Sequence, residues 1–288
     1  MSIAAVWEQQ SVWSQAADRL KRSIGRARVV VLALGITVAA TAAAAAQLMV
    51  PHQLLGKVLA FTAAAAAGAA PIAAQRTDSV RVRDWTRLRA VSESLKCEAY
   101  VYLAGVGAYR GDDRDRALVE RIAELRADSA DLLSHTGGLV PRVRELPAVS
   151  DVESYVERRL RAQIDGYYLP RAGLMARRTA VVRRAEVALG LLGALLAAAG
   201  GTFALDWAGS WVAVGASVTL AVTAHGAAAK YDYQELEFSR TAVELERLHA
   251  RWSTGAVRTP EAVDAFVERC EDIISVQNDA WMLKVAEQ

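Results

Sequence analysis

Two cysteines in 288 residues rule out a fold built on disulfides or on thiolate-bound metal. Cys97 and Cys270 match no metal or redox spacing, so both read as ordinary helix residues kept reduced on the cytoplasmic side. Histidine is almost as scarce. His52, His135, His225 and His249 are too scattered for a ligand set or a catalytic dyad. No segment alternates as a strand does, so no glycine-rich loop between a strand and a helix exists to hold a phosphate. The cluster Asp112, Asp113 and Asp115 stands among Arg110, Arg114 and Arg116 at a helix start, where capping and the helix dipole explain it better than a metal. Neither an enzyme nor a cofactor is expected. Of 34 basic residues only Lys21, Lys57, Lys96, Lys230 and Lys284 are lysine, which with the abundant alanine fits a high-GC bacterial gene.

Charge itself is missing from four stretches. No charged side chain lies between Arg28 and Lys57, and the next 18 residues, up to Arg76, carry none. Another 19 separate Glu186 from Asp206, and 23 separate Asp206 from Lys230. A helix of 18 residues spans roughly 27 Å, close to the hydrocarbon thickness of a bilayer. Val29 to Leu32 and Leu189 to Leu196 are strongly apolar, and Phe203, Trp207 and Trp211 oppose Tyr231 and Tyr233 as an aromatic belt would. Spans are expected at about 29–49, 57–75, 185–205 and 208–229.

Arginine fixes their direction. Arg19, Arg22, Arg26 and Arg28 precede the first span, Arg76 to Arg89 follow the second, and Arg171 to Arg184 precede the third. The turns around Pro51 and Asp206 hold only Lys57. Basic residues stay inside, so both termini and the central segment are expected in the cytoplasm, in a multi-pass protein of the cell inner membrane. The amphipathic N-terminal stretch has no cleavage motif, so no signal peptide is expected. The net charge of +2 orients the chain and does not point to nucleic acid.

Helical periodicity fills the rest. Ile3, Val6, Trp7, Trp13, Ala17, Leu20 and Ile24 share a face leading into the first span. A helix is expected from about Val80 to Tyr109, ended by Gly111, and another from Asp112 or Asp113 to Gly137. Leu139 to Ser150, with Pro141 and Pro147, reads as a loop. Ser150 to Glu153 reads as a capping box opening a helix to Tyr168, and a further helix starts after Pro170. Ser253 to Gly255 is a break, and Thr259-Pro260-Glu261 starts the last helix. The expected fold is an all-α membrane protein with four transmembrane helices in two hairpins and long cytoplasmic helices extending from and linking them. Its units would be residues 1–110, a helical linker 111–149, and residues 150–288.

The two hairpin units echo each other. Trp13 to Ala17 precedes the first span as Tyr168 to Ala172 precedes the third. Trp85, Arg89 and Glu93 after the first hairpin correspond to Phe238, Arg240, Ala242, Glu244 and Leu245 after the second. Parallel repeats of this kind are related by an axis along the membrane normal. In these motifs and in architecture the chain resembles the SLATT family, the SMODS- and SLOG-associating two-transmembrane effector domains, as two tandem copies over nearly its whole length. The resemblance implies a bacterial membrane effector that forms pores in conflict systems triggered by nucleotide signals.

Mid-span polarity supplies the candidate residues. Thr37, Thr41, Ser217, Thr219, Thr223 and His225 are the candidate pore-lining set. Gly193, Ala197 and Gly201 form a small-residue line suited to helix packing. Trp85, Glu93 and Tyr100 are candidates for cytoplasmic coupling. Four alanine-rich helices are expected to pack without an aqueous path, so a pore requires a homo-oligomer in the lipid bilayer, with a cytoplasmic nucleotide-sensing protein as the candidate partner. A non-conducting scaffold that recruits a cytoplasmic partner is the alternative.

Overall fold

A computed structural model describes residues 1–204, 206–255 and 258–286. Leu205, the last residue of the third expected span, and the final two residues of the C-terminal unit lie outside the described residues. Among the described residues there is no strand. Four helical runs are long and apolar enough to cross a membrane, and the protein is an all-α, multi-pass membrane protein.

The helices are longer than the spans they contain. Helix α1 (Ile3–Leu48) runs unbroken for 46 residues and takes in both the amphipathic N-terminal stretch and the first span. A turn at 49–52 leads to α2 (Gln53–Ala74), which keeps Pro71 within it. A Cβ added to Gly56 would lie 2.8 Å from Met49 Cα and 2.9 Å from its amide nitrogen, so this turn closes only on glycine. Gly56→Ala is expected to cost about 1–3 kcal/mol through overpacking against backbone. A lowered melting temperature in detergent is the readout. Gly68→Ala, on the same helix, is the control, because a Cβ there meets nothing within 4 Å.

Helix α3 (Ser79–Ala104) ends five residues before the expected Tyr109. Gly105 has φ +65°, a left-handed stop that a side chain would resist, and a 3₁₀ turn over Gly107–Tyr109 follows. Helix α4 (Arg114–Asp128) follows Asp113, whose side chain makes no capping bond, and gives way to a 3₁₀ turn before Gly137. The stretch from Leu139 to Val149 is irregular, as the prolines predict, and it is fastened along α1. Trp7 Nε1 donates to Glu145 O at 3.0 Å, Gln15 Nε2 to Val140 O at 2.9 Å, and Arg142 N to Ser11 Oγ at 3.0 Å.

The next helix is capped one residue later than expected. Asp151 accepts from Ser154 N, and Ser154 Oγ accepts from the Asp151 amide, opening α5 (Val152–Tyr155). The chain then passes through two π-helical stretches, Val156–Arg161 and Ile164–Tyr168, and into α6 (Leu169–Phe203) without a break. The expected interruption at Pro170 is absent. Leu169 N donates five residues back to Ile164 O, and such a widened turn takes up the backbone groups that a proline leaves unpaired.

Helix α7 (Asp206–Ala229) supplies the fourth span. Lys230, at φ +49°, separates it from α8 (Tyr231–Thr254). Helix α9 (Pro260–Ala286) starts where Thr259-Pro260-Glu261 predicts, with Ala262 N donating to Thr259 Oγ1 at 3.2 Å.

The chain forms two compact units. One gathers Met1–Arg22, Ser79–Ala172 and the chain from Leu236 onward; the other gathers Ser23–Asp78 and Gly173–Glu235. Each unit draws on both halves of the sequence. The first has a core of α1 (Val6, Trp13), α3 (Leu88, Leu95, Ala99), the π-helical region (Leu160, Tyr168) and α9 (Val267, Cys270). The second holds the four spans, whose most apolar windows are only 0–11% buried within the chain. Four alanine-rich helices therefore do not pack into a solid bundle, as the composition alone leads one to expect. Their side chains are too short to cover one another, and most of their apolar surface is left for lipid or further copies.

Candidate functional site

The first unit holds a buried ion pair. Arg159, on the π-helical stretch, is 1% exposed, and Glu271 on α9 is 6% exposed. Arg159 Nε donates to Glu271 Oε1 at 2.9 Å and Nη2 to Oε2 at 2.7 Å, the two-pronged geometry that guanidinium and carboxylate favour. Tyr155 Oη donates to the same Oε1 at 2.8 Å. Burial works against the Glu271 charge, but the Arg159 guanidinium and these hydrogen bonds outweigh it and hold the carboxyl below its usual range. Both thiols are pushed upward by burial, with the Glu271 charge adding to the effect, so each is kept protonated and inert.

A second pair lies one helix away. On α3, Arg89 Nη2 meets Glu93 Oε1 at 2.6 Å, one turn apart. Burial opposes the Glu93 charge, and Arg89, Lys96 and Arg159 together bring its carboxyl below the usual range. Arg159 Nη1 and Glu93 Oε2 are both buried without a hydrogen-bond partner in the structure. The Arg159 and Glu93 charges each act on the other as a lesser influence beside their own partners, which links the two pairs.

Lys96 sits badly in this company. Burial, then repulsion from Arg159, lowers its ammonium to about 8. Between about 8 and the ordinary 10.5 the folded protein sheds a proton that the unfolded chain keeps, so stability rises with pH across that window. Lys96→Met is expected to raise stability at pH 7 by about 1–3 kcal/mol, an advantage that fades as pH passes through the window. Denaturation of the two proteins across that pH range checks it.

The coupling candidates divide. Tyr100 packs edge-on between Trp7 (6.2 Å between ring centroids) and Tyr155 (6.5 Å), with the Arg159 guanidinium 4.9 Å over its ring. Glu93 belongs to the charge network, whereas Trp85 carries the Lys21 ammonium 5.4 Å over its ring. Two of the three thus converge on Arg159, a residue that sequence reasoning missed. Its only signal was an arginine four residues after Tyr155 on an otherwise apolar face, together with an acid next to Cys270.

In the spans, Thr37, Thr41, Ser217 and Thr219 each donate to the carbonyl four residues back, at 2.7–2.9 Å. Thr223 differs. Its hydroxyl crosses to α6 and donates to Glu186 Oε1 at 2.8 Å. The His225 ring lies 6.4 Å from that of Tyr231. Helices α6 and α7 are in close contact at Gly226, where an added Cβ would be 2.9 Å from Val182 Cγ1. At Gly193 and Gly201 an added Cβ meets nothing within 4 Å among the described residues, and Ala197 is exposed.

A membrane hairpin continuous with helices outside the spans is the class this geometry defines. Residues 155–281 match the SMODS and SLOG-associating 2TM effector domain 1. Residues 11–117 match a different family, a protein of unknown function (DUF4231), so two copies of one domain are not what the matches show. No curated protein and no solved structure matches the chain.

Proposed function

We propose that the protein is a pore-forming effector of the bacterial inner membrane that conducts as a homo-oligomer. The observation that carries this reading is the near absence of burial among the spans, which leaves their surfaces free for lipid and for other copies. The match of residues 155–281 to an effector domain supports it. Thr37, Thr41, Ser217, Thr219, Thr223 and His225 line the path, and the line of Gly193, Ala197 and Gly201 is one face on which copies meet. The two halves are diverged versions of one hairpin unit, residues 1–110 and 150–288, joined by the linker 111–149. The arginines beside the spans keep both termini and the linker in the cytoplasm. The trigger arrives there, through a nucleotide-sensing partner, and reaches the spans by way of Glu93, Tyr100 and Trp85. The protein catalyses no reaction and needs no cofactor.

Ion flux from liposomes holding the purified protein tests the reading. Leak that rises more steeply than linearly with protein density is expected. Tight liposomes at every density, with and without cyclic nucleotides and a sensing partner, would overturn the pore and leave a scaffold.

A further inference from the structure

Glu186 is the carboxylate just before the uncharged run of the third span, and it has no ion-pair partner among the described residues. Its nearest basic neighbours in sequence, Arg183 and Arg184, are exposed, while Glu186 itself is half-buried. What holds it is the Thr223 hydroxyl from the fourth span, at 2.8 Å. Thr223 thereby forgoes the bond to its own helix that Thr37, Thr41, Thr62, Ser217 and Thr219 all make. One oxygen of the carboxylate is aimed by that bond, and the closely packed Val182–Gly226 contact one turn away keeps the two helices in register. A carboxylate at the edge of hydrocarbon without a counterion is costly, and such groups mark ion paths or the sites of ions themselves.

The geometry points to Glu186, positioned by Thr223, as a monovalent-cation site that gives the assembly a preference for cations over anions. This rests on the pore reading for its selectivity, although the local attraction of cations does not need conduction. Repeated around an oligomer, the carboxylates form an acidic ring, and rings of this kind select cations in channels. A cleft of one charge raises the local counter-ion concentration by about tenfold or more. The exposed arginines nearby would give the opposite preference if they, and not Glu186, faced the path.

Two readouts separate the site from the pore. In a potassium chloride gradient, the reversal potential is expected to show cations favoured about tenfold, falling toward about onefold in Glu186→Gln and retained in Glu186→Asp. Independently of any current, Thr219→Cys, in a chain with Cys97 and Cys270 replaced by alanine, should react faster with a cationic than with an anionic methanethiosulfonate, and Glu186→Gln should erase that bias. Bias without conductance upholds the site and overturns the pore. Conductance that favours anions, or a cation preference and labelling bias unchanged in Glu186→Gln, overturns the assignment of Glu186. Neither current nor bias overturns both.

Discussion

Replacing Glu271 with alanine is expected to destabilise the protein by about 3–5 kcal/mol, because it strands the Arg159 guanidinium in an interior where it has no other carboxylate bonded to it. Tyr155 loses its acceptor in the same step, and Arg159 Nη1 is already without a partner. The paired replacement Arg159→Met with Glu271→Leu is expected to be close to neutral, since apolar side chains of similar size remove both desolvation costs together. Chemical denaturation in detergent, with both variants beside the parent protein, gives the comparison. Equal losses in the single and double variants would show that packing, and not charge, holds the site. The pH dependence has a definite sign. Glu271 and Glu93 both sit below the usual carboxylate range, so their contribution is complete above that range and is lost as pH falls through their folded values.

The second large effect lies in the spans. Leu195 and Leu220 are 69% and 72% exposed on the third and fourth spans, the exposure expected of lipid-facing side chains. Leu195→Arg is expected to cost about 3–4 kcal/mol of membrane insertion, the difference between the two residues at a helix centre. Most of that variant should then appear in the fraction that alkaline carbonate extracts, while Leu195→Phe should stay with the membrane. Arginine at Thr219, on the face assigned to an aqueous path, is expected to be tolerated better than at Leu220 one residue away. Equal extraction of the Thr219 and Leu220 variants would remove the distinction between the two faces.

Much of the membrane architecture was legible because a bilayer imposes a coarse code. Runs without charge, with arginine clusters on one side, need no knowledge of packing to be recognised, and the structure has four helical runs long and apolar enough to cross a membrane. The last helix was equally plain, since a threonine, a proline and a glutamate at its start act locally. Other features depend on distant partners. Arg158, Arg159 and Arg161 look alike in sequence, and only the approach of α9 selects Arg159 for burial. Pro170 promised a break, yet the widened turn before it lets the helix continue into the third span. Helix α3 stopped early because Gly105, which carries no strong local signal, takes a left-handed conformation. The alanine-rich spans misled in a different way. Their composition suggested tight mutual packing, but without bulky side chains they bury little of one another.

The central claim is that four spans place the two turns on one side of the membrane and everything else on the other. Single cysteines introduced at Ser2, His52, Ser134 and Gly209, in a chain with Cys97 and Cys270 replaced by alanine, can be labelled with an impermeant maleimide in intact spheroplasts. The account predicts labelling of positions 52 and 209 from outside, and of positions 2 and 134 only after permeabilisation. Labelling of position 134 from outside, or protection of 52 alongside 2, would contradict it.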